Sequence, residues 1–123
     1  MAFELDGIEQ VEETELAALL NEKGDETIVV DVREPEEYEA GHIPGLPLLP
    51  MSSIPAVVAE MDKEKSYIFV CRSGSRSQNV ALYLKDQGFR DVKNYAGGML
   101  EWTGEVTSGL EWFVKDVHEL YKK

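Results

Sequence analysis

Apolar positions along this chain come in two kinds of run, and the two alternate. Residues 27–32 (TIVVDV) and 67–70 (YIFV) are short and dense in β-branched and aromatic side chains. Such runs predict strands covered on both faces, as in a parallel sheet. Phe89 with residues 92–95 predicts another strand, and residues 8–11 a short first one whose apolar positions are Ile8 and Val11. Residues 46–49 (LPLL) predict at most a brief edge strand, because Pro47 brings no N–H to a ladder.

Between these runs the apolar spacing turns helical. Leu16, Ala17, Leu19 and Leu20 share one face of a helix that Thr14 can cap and Gly24 can close. Pro35 suits the first turn of a short helix. Ser52 or Ser53 opens a helix through Ala56, Val57, Val58 and Met61, with Pro55 early enough to be tolerated. Val80, Ala81, Leu82, Tyr83 and Leu84 mark a longer helix that stops at Gly88. Gly97 and Gly98 predict a tight turn, followed by a short helix at 99–102 and a terminal helix near 110–120. Strands alternating with helices predict an α/β domain with a mostly parallel sheet. A length of 123 residues suits one domain with a real core.

Composition narrows the setting. The chain is 43% hydrophobic and 29% charged, as soluble globular proteins are. No apolar run approaches bilayer-spanning length, so no membrane partner is expected. The acidic start (MAFELDGIEQVEE) lacks the basic-then-apolar order of a secretory signal, and the expected location is cytoplasmic. The net charge of −12 sits in residues 1–40, where 14 acidic residues meet only Lys23 and Arg33; residues 41–123 balance 10 against 10. That acidic third is a solvated face or a docking face for a basic partner. A nucleic-acid partner would need a basic stripe, and none is visible.

The chemistry concentrates in residues 66–88. An apolar strand leads into Cys71, a polar turn follows (Arg72, Ser73, Gly74, Ser75, Arg76), and a helix begins. This order puts a thiol where unpaired backbone N–H groups converge at a helix N-terminus. The small turn residues let those groups curl inward around an anion. Two arginines and the helix terminus all favour the thiolate, the form that attacks sulfur or phosphorus. Cys71 is the only cysteine, so neither an intrachain disulfide nor a thiolate-rich metal site can form. The two histidines, His42 and His118, are remote in sequence, and the reaction need not use a Cys–His pair. Asp31 sits at the carboxyl end of another predicted strand, where parallel sheets place their sites.

DVREPEEYEAGHIPG at residues 31–45, CRSGSRS at 71–77, and YAGG at 95–98 followed by Trp102 together resemble a single-domain rhodanese over about residues 8–105. The resemblance implies a rhodanese-like single α/β domain with a central five-stranded, mostly parallel sheet flanked by helices on both faces. It implies sulfurtransfer through a persulfide, with Cys71 as the sulfur acceptor. Arg72, Ser73, Gly74, Ser75, Arg76 and Ser77 would hold the persulfide and an anionic small-molecule donor such as thiosulfate. Asp31 and Arg33 would form a supporting ion pair, and His42 a hydrogen-bonded loop histidine. The acceptor would be cyanide, a thiol or a protein cysteine, with no metal or organic cofactor required. The family commonly continues the Gly-His-Ile-Pro-Gly segment differently from residues 46–50 (LPLLP), which leaves the edge strand open. Residues 106–123 match no motif and are expected to be a helical segment packing Trp112, Phe113, Val117 and Leu120 on the sheet.

Two rival readings remain at this point. A cysteine-dependent phosphatase or arsenate reductase would use five residues between cysteine and arginine to cradle a tetrahedral oxyanion. Here only four lie between Cys71 and Arg76, and no resolving thiol exists. A rhodanese-like module that only binds partners would be expected to lack the cysteine or the arginines, and both are present. A sulfur carrier with a protein acceptor stands between the two classes.

Overall fold

Five strands form one sheet in the computed structural model, which describes residues 3–22 and 26–121. β1 (Phe3–Leu5) and β2 (Ile8–Val11) make an antiparallel hairpin. β3 (Ile28–Asp31), β4 (Ser66–Val70) and β5 (Asp91–Tyr95) complete the sheet in the order β1-β2-β5-β4-β3, with every pair but the first parallel. Its helices are α1 (Glu13–Asn21), α2 (Pro35–Ala40), α3 (Ile54–Val57), α4 (Ser75–Asp86) and α5 (Gly98–Glu101). Residues alternate across β4. Tyr67 and Phe69 join Ile8, Val30, Ile54, Val80 and Leu84 on the face under α3 and α4. Ile68 and Val70 join Val11, Leu16, Val29 and Tyr95 on the face under α1. Helices cover both faces, as the strand–helix alternation predicts. No helix among the described residues is long and apolar enough to cross a membrane.

The fifth strand is not the predicted one. Leu48 makes only isolated bridges, to Asp31 and to Phe113, because the prolines at 47 and 50 supply no N–H to lengthen a ladder. The fifth place belongs to β1, whose turn is Asp6-Gly7 with φ of 53° and 82°. Asp-Gly is the dipeptide that suits a two-residue hairpin turn with both central residues at positive φ.

Three further corrections are local. Glu12, not Thr14, caps α1, through a reciprocal capping box with Glu15; Gly24 lies outside the described residues. Neither Ser52 nor Ser53 caps a helix with its side chain. That segment breaks into a 3-10 turn (Met51–Ser53), α3 and another 3-10 turn (Val58–Glu60). Pro55 sits in the first turn of α3, where its ring and missing N–H prevent the helix from starting a turn earlier. The predicted terminal helix is replaced by extended chain. Leu48 N–H donates to the Trp112 carbonyl (2.8 Å) and Val114 N–H to the Leu48 carbonyl (3.0 Å). Only Val117–Tyr121 winds into a 3-10 turn. Extension sets the parity, so Val114 joins Val117 and Leu120 in the core while Phe113 is 40% exposed.

Candidate functional site

The alternation that buries Tyr67 and Phe69 carries one position past β4 and places Cys71 on the α4 face, fully buried. The chain then turns through residues 72–74 and enters α4 at Ser75. Gly74 is the residue before the helix, at φ 91°. A side chain there would also run into the carbonyl oxygen of Ala96, and one on Gly98 into the carbonyl oxygen of Arg72. The Cys71 loop and the 96–98 turn are therefore packed backbone to backbone. Met99 N–H donates to the Cys71 carbonyl and Leu100 N–H to the Arg72 carbonyl, both at 2.9 Å. The Gly97-Gly98 pair thus leads into α5, which braces the loop.

The sulfur receives direct donors. Gly74 N–H lies 3.1 Å from Cys71 Sγ and the Ser77 hydroxyl 3.2 Å. Burial pushes the thiol up, but the Ser77 hydroxyl and the main-chain N–H groups of Ser77, Ser73 and Gly74 outweigh it and hold the thiol below its ordinary value. The physical cause is donors aimed at an anion at the start of a twelve-residue helix.

The two loop arginines part company. Arg72 is exposed, as are Ser73 and Ser75. Arg76 turns to α2 and grips Glu37 with two N–H···O bonds of 2.7 and 2.8 Å. Those bonds raise the arginine further and draw the Glu37 carboxyl down to about 2. Glu37 is itself aimed by the α2 capping box, in which its Oε1 accepts the Glu34 N–H at 3.0 Å. Asp31 and Arg33 form a buried bidentate pair, and Arg33 spends another N–H on the Gly41 carbonyl (2.8 Å). His42 is buried, stacked on the Tyr38 ring at 3.7 Å, with Nδ1 at the Tyr38 carbonyl and Nε2 at Glu111. The supporting residues brace the 31–45 segment, with none of their hydrogen bonds going to the Cys71 loop.

Three further residues, Gln10, Gln78 and Asn94, escaped the sequence reading and join Ser77. Ser77, Gln78, Gln10 and Asn94 form a buried polar strip across β2, β5 and the first turn of α4. Ser77 Oγ bonds Asn94 Oδ1, Asn94 Nδ2 donates to Gln10 Oε1 (2.8 Å), and Gln10 Nε2 donates to Gln78 Oε1 (2.7 Å). The available signal was parity: Gln10 stands two residues from Ile8, and Asn94 two from Val92, on strands whose alternation turns them inward. Among the described residues no group of three or more His, Cys, Asp or Glu side chains could hold a metal. A cavity of about 490 Å³ lined by Leu19, Ile28, Leu46, Trp112 and Tyr121 includes no residue of the Cys71 loop.

Comparison with known proteins converges on one family. The family model for the Rhodanese-like domain matches residues 12–105. A Bacillus subtilis (strain 168) protein named "Putative sulfurtransferase YtwF" is 45% identical over 99 residues, covering 79% of this chain and 95% of that protein. The "Thiosulfate sulfurtransferase GlpE" of Pseudoalteromonas translucida is 36% identical over 87 residues, covering 71% of this chain and 83% of that one. Among solved structures, a rhodanese-like domain protein from Staphylococcus aureus superposes with a TM-score of 0.70 at 38% identity, covering 78% of this chain and 92% of the other.

Proposed function

From the premise that this chain belongs to the Rhodanese-like domain family, we propose that it is a sulfurtransferase that carries sulfane sulfur as a persulfide on Cys71. The observation that carries the reading is the placement of donors on the sulfur itself. Gly74 N–H and the Ser77 hydroxyl lie within hydrogen-bond distance of Sγ, and only four residues separate Cys71 from Arg76, one fewer than a phosphatase loop uses to surround a tetrahedral oxyanion. This contraction supports sulfur rather than phosphate as the group transferred.

In the first half-reaction the Cys71 thiolate attacks the outer sulfur of a donor such as thiosulfate. The new S–S bond forms as the old sulfur–sulfur bond breaks, and sulfite leaves with its electron pair. Loop N–H groups, with Arg72 at the exposed rim, offset the negative charge on the transferred sulfur. In the second half-reaction a thiolate acceptor, or cyanide, takes the outer sulfur and returns Cys71 as thiolate. Arg76 contributes by holding the loop to α2 through Glu37. The name of the GlpE relative supports thiosulfate as donor. The reading treats the chain as one domain and places it in the cytoplasm, where reducing conditions keep a lone cysteine free.

Intact-protein mass spectrometry after exposure to thiosulfate tests this. The expected result is one added sulfur, removed by dithiothreitol and absent from Cys71→Ser. An unmodified wild-type chain, or sulfur retained by Cys71→Ser, would refute the proposal. An aryl phosphate should be left intact.

A further inference from the structure

Ser77 has one hydroxyl hydrogen and two acceptors within reach: Cys71 Sγ at 3.2 Å and, closer still, Asn94 Oδ1. Which atom Asn94 presents is decided from outside, by main-chain carbonyls, which can only accept. Gln78 Nε2 donates to the Leu5 carbonyl and Gln10 Nε2 to the Ile8 carbonyl, each at 2.9 Å. Gln10 therefore turns Oε1 toward Asn94, whose Nδ2 serves both that oxygen (2.8 Å) and the Gly74 carbonyl (3.0 Å). Flipping the Asn94 amide would set its oxygen against two acceptors. Its Oδ1 is thus held against Ser77.

We infer that Asn94 is a positioning residue that competes with the Cys71 sulfur anion for the Ser77 hydroxyl hydrogen. The inference rests on the reading of Cys71 as the reacting sulfur. While Cys71 is a neutral thiol, Ser77 donates to Asn94 and its oxygen faces the S–H group. Once Cys71 loses its proton, the charge-assisted bond is the stronger, and the hydroxyl turns from Asn94 to sulfur. That turn strands Asn94 Oδ1 among Gln10, Ser77 and Gln78, all more than nine-tenths buried. Ionising Cys71 therefore costs one buried hydrogen bond. No member of the strip titrates and it ends on a carbonyl, so it redistributes hydrogen bonds and carries no proton away. The charged groups at this end of the sheet include Arg76 with Glu37 and the nearby Glu34, the exposed Arg72 of the loop, and the Asp31–Arg33 pair at the end of β3. They also include Glu12, Glu13 and Glu101, which line a cavity with Tyr95–Gly97. An uncharged substitution at Asn94 leaves all of them in place.

The test is titration of the thiolate ultraviolet absorbance, with Cys71→Ser as blank. It needs no sulfur donor, so it reads the inference separately from sulfurtransfer. Asn94→Leu removes the competing acceptor at similar size. The midpoint should fall by about 0.5–1 pH unit, a three- to tenfold gain in thiolate below it. In a Ser77→Ala background the same change should leave the midpoint where it was. An unmoved or raised midpoint in Asn94→Leu, or an equal fall with Ser77→Ala present, overturns the inference. If Asn94→Leu does not fold, the wild-type chain decides. Its Asn94 side-chain amide NMR resonance should shift with the Cys71 midpoint, and a resonance indifferent to that midpoint overturns the inference. Failure of thiosulfate loading with these results intact would remove the sulfurtransfer reading and leave the competition standing.

Discussion

Glu37→Gln separates what the Arg76 clamp contributes from what the α2 cap contributes. Glutamine still completes the capping box, but it loses the charge and one of the two oxygens that Arg76 grips. The Glu37 carboxyl is drawn from 4.5 to about 2, chiefly by the Arg76 hydrogen bonds. Fully expressed, that displacement would correspond to about 3.4 kcal/mol. The side chains of Arg76 and Glu37 are 31% and 29% exposed, so solvent screening reduces the expected value to about 1–2 kcal/mol. A carboxylate depressed in the folded state stabilises fully above its unfolded value, and the contribution fades as pH falls toward the folded one. Urea unfolding followed by circular dichroism should therefore find the variant weaker by about 1–2 kcal/mol at neutral pH. The gap should close between pH 4.5 and about 2. In an Arg76→Ala background Glu37→Gln should cost almost nothing. A gap that stays constant with pH, or that survives the loss of Arg76, would refute the assignment of Arg76 as a loop clamp.

Gly74→Ala should cost more than about 2 kcal/mol and abolish sulfur loading, since it combines positive-φ strain with a collision on the Ala96 carbonyl. Gly45→Ala is its control: φ is 84° there with open space around the Cβ, so only about 1–2 kcal/mol of strain should appear in thermal unfolding. Arg33→Met should cost about 3–5 kcal/mol by leaving the buried Asp31 carboxylate without its guanidinium, and adding Asp31→Leu should recover much of it. Tyr95→Phe should leave the melting temperature unchanged or raise it, because the buried Tyr95 hydroxyl has no partner among the described residues; a fall would refute this.

The fold class, most of the strands and the candidate thiol were legible because each has a chain-local cause. Period-two burial on β4 runs from Tyr67 through Phe69 to Cys71, so the parity that makes the strand also aims the sulfur under α4. Small residues after Cys71 allow the tight loop, and the four-residue interval to Arg76 sets its size. Asp6-Gly7 also carried a local hairpin signal, although the run before it, Phe3–Leu5, is only three residues long. Segments such as 110–120 misled, because helical spacing there lost to backbone pairing with Leu48, a partner remote in sequence.

The partners behind the residues that touch the sulfur were decided by tertiary structure alone. Arg76 reads from the sequence as a second charge on the loop, yet it faces Glu37, 39 residues away, because α2 and the start of α4 meet at the same end of the sheet. Gln10 and Asn94 are 84 residues apart and become neighbours only through the parallel register of β2 and β5. Periodicity can say that such residues point inward. It cannot say which partners they meet there, because register and helix placement follow from packing the whole chain. Cys71 and its direct donors, Gly74 and Ser77, were therefore recognisable within one stretch of sequence, while Asn94 and Gln10 behind Ser77, and Glu37 behind Arg76, are brought there by the fold.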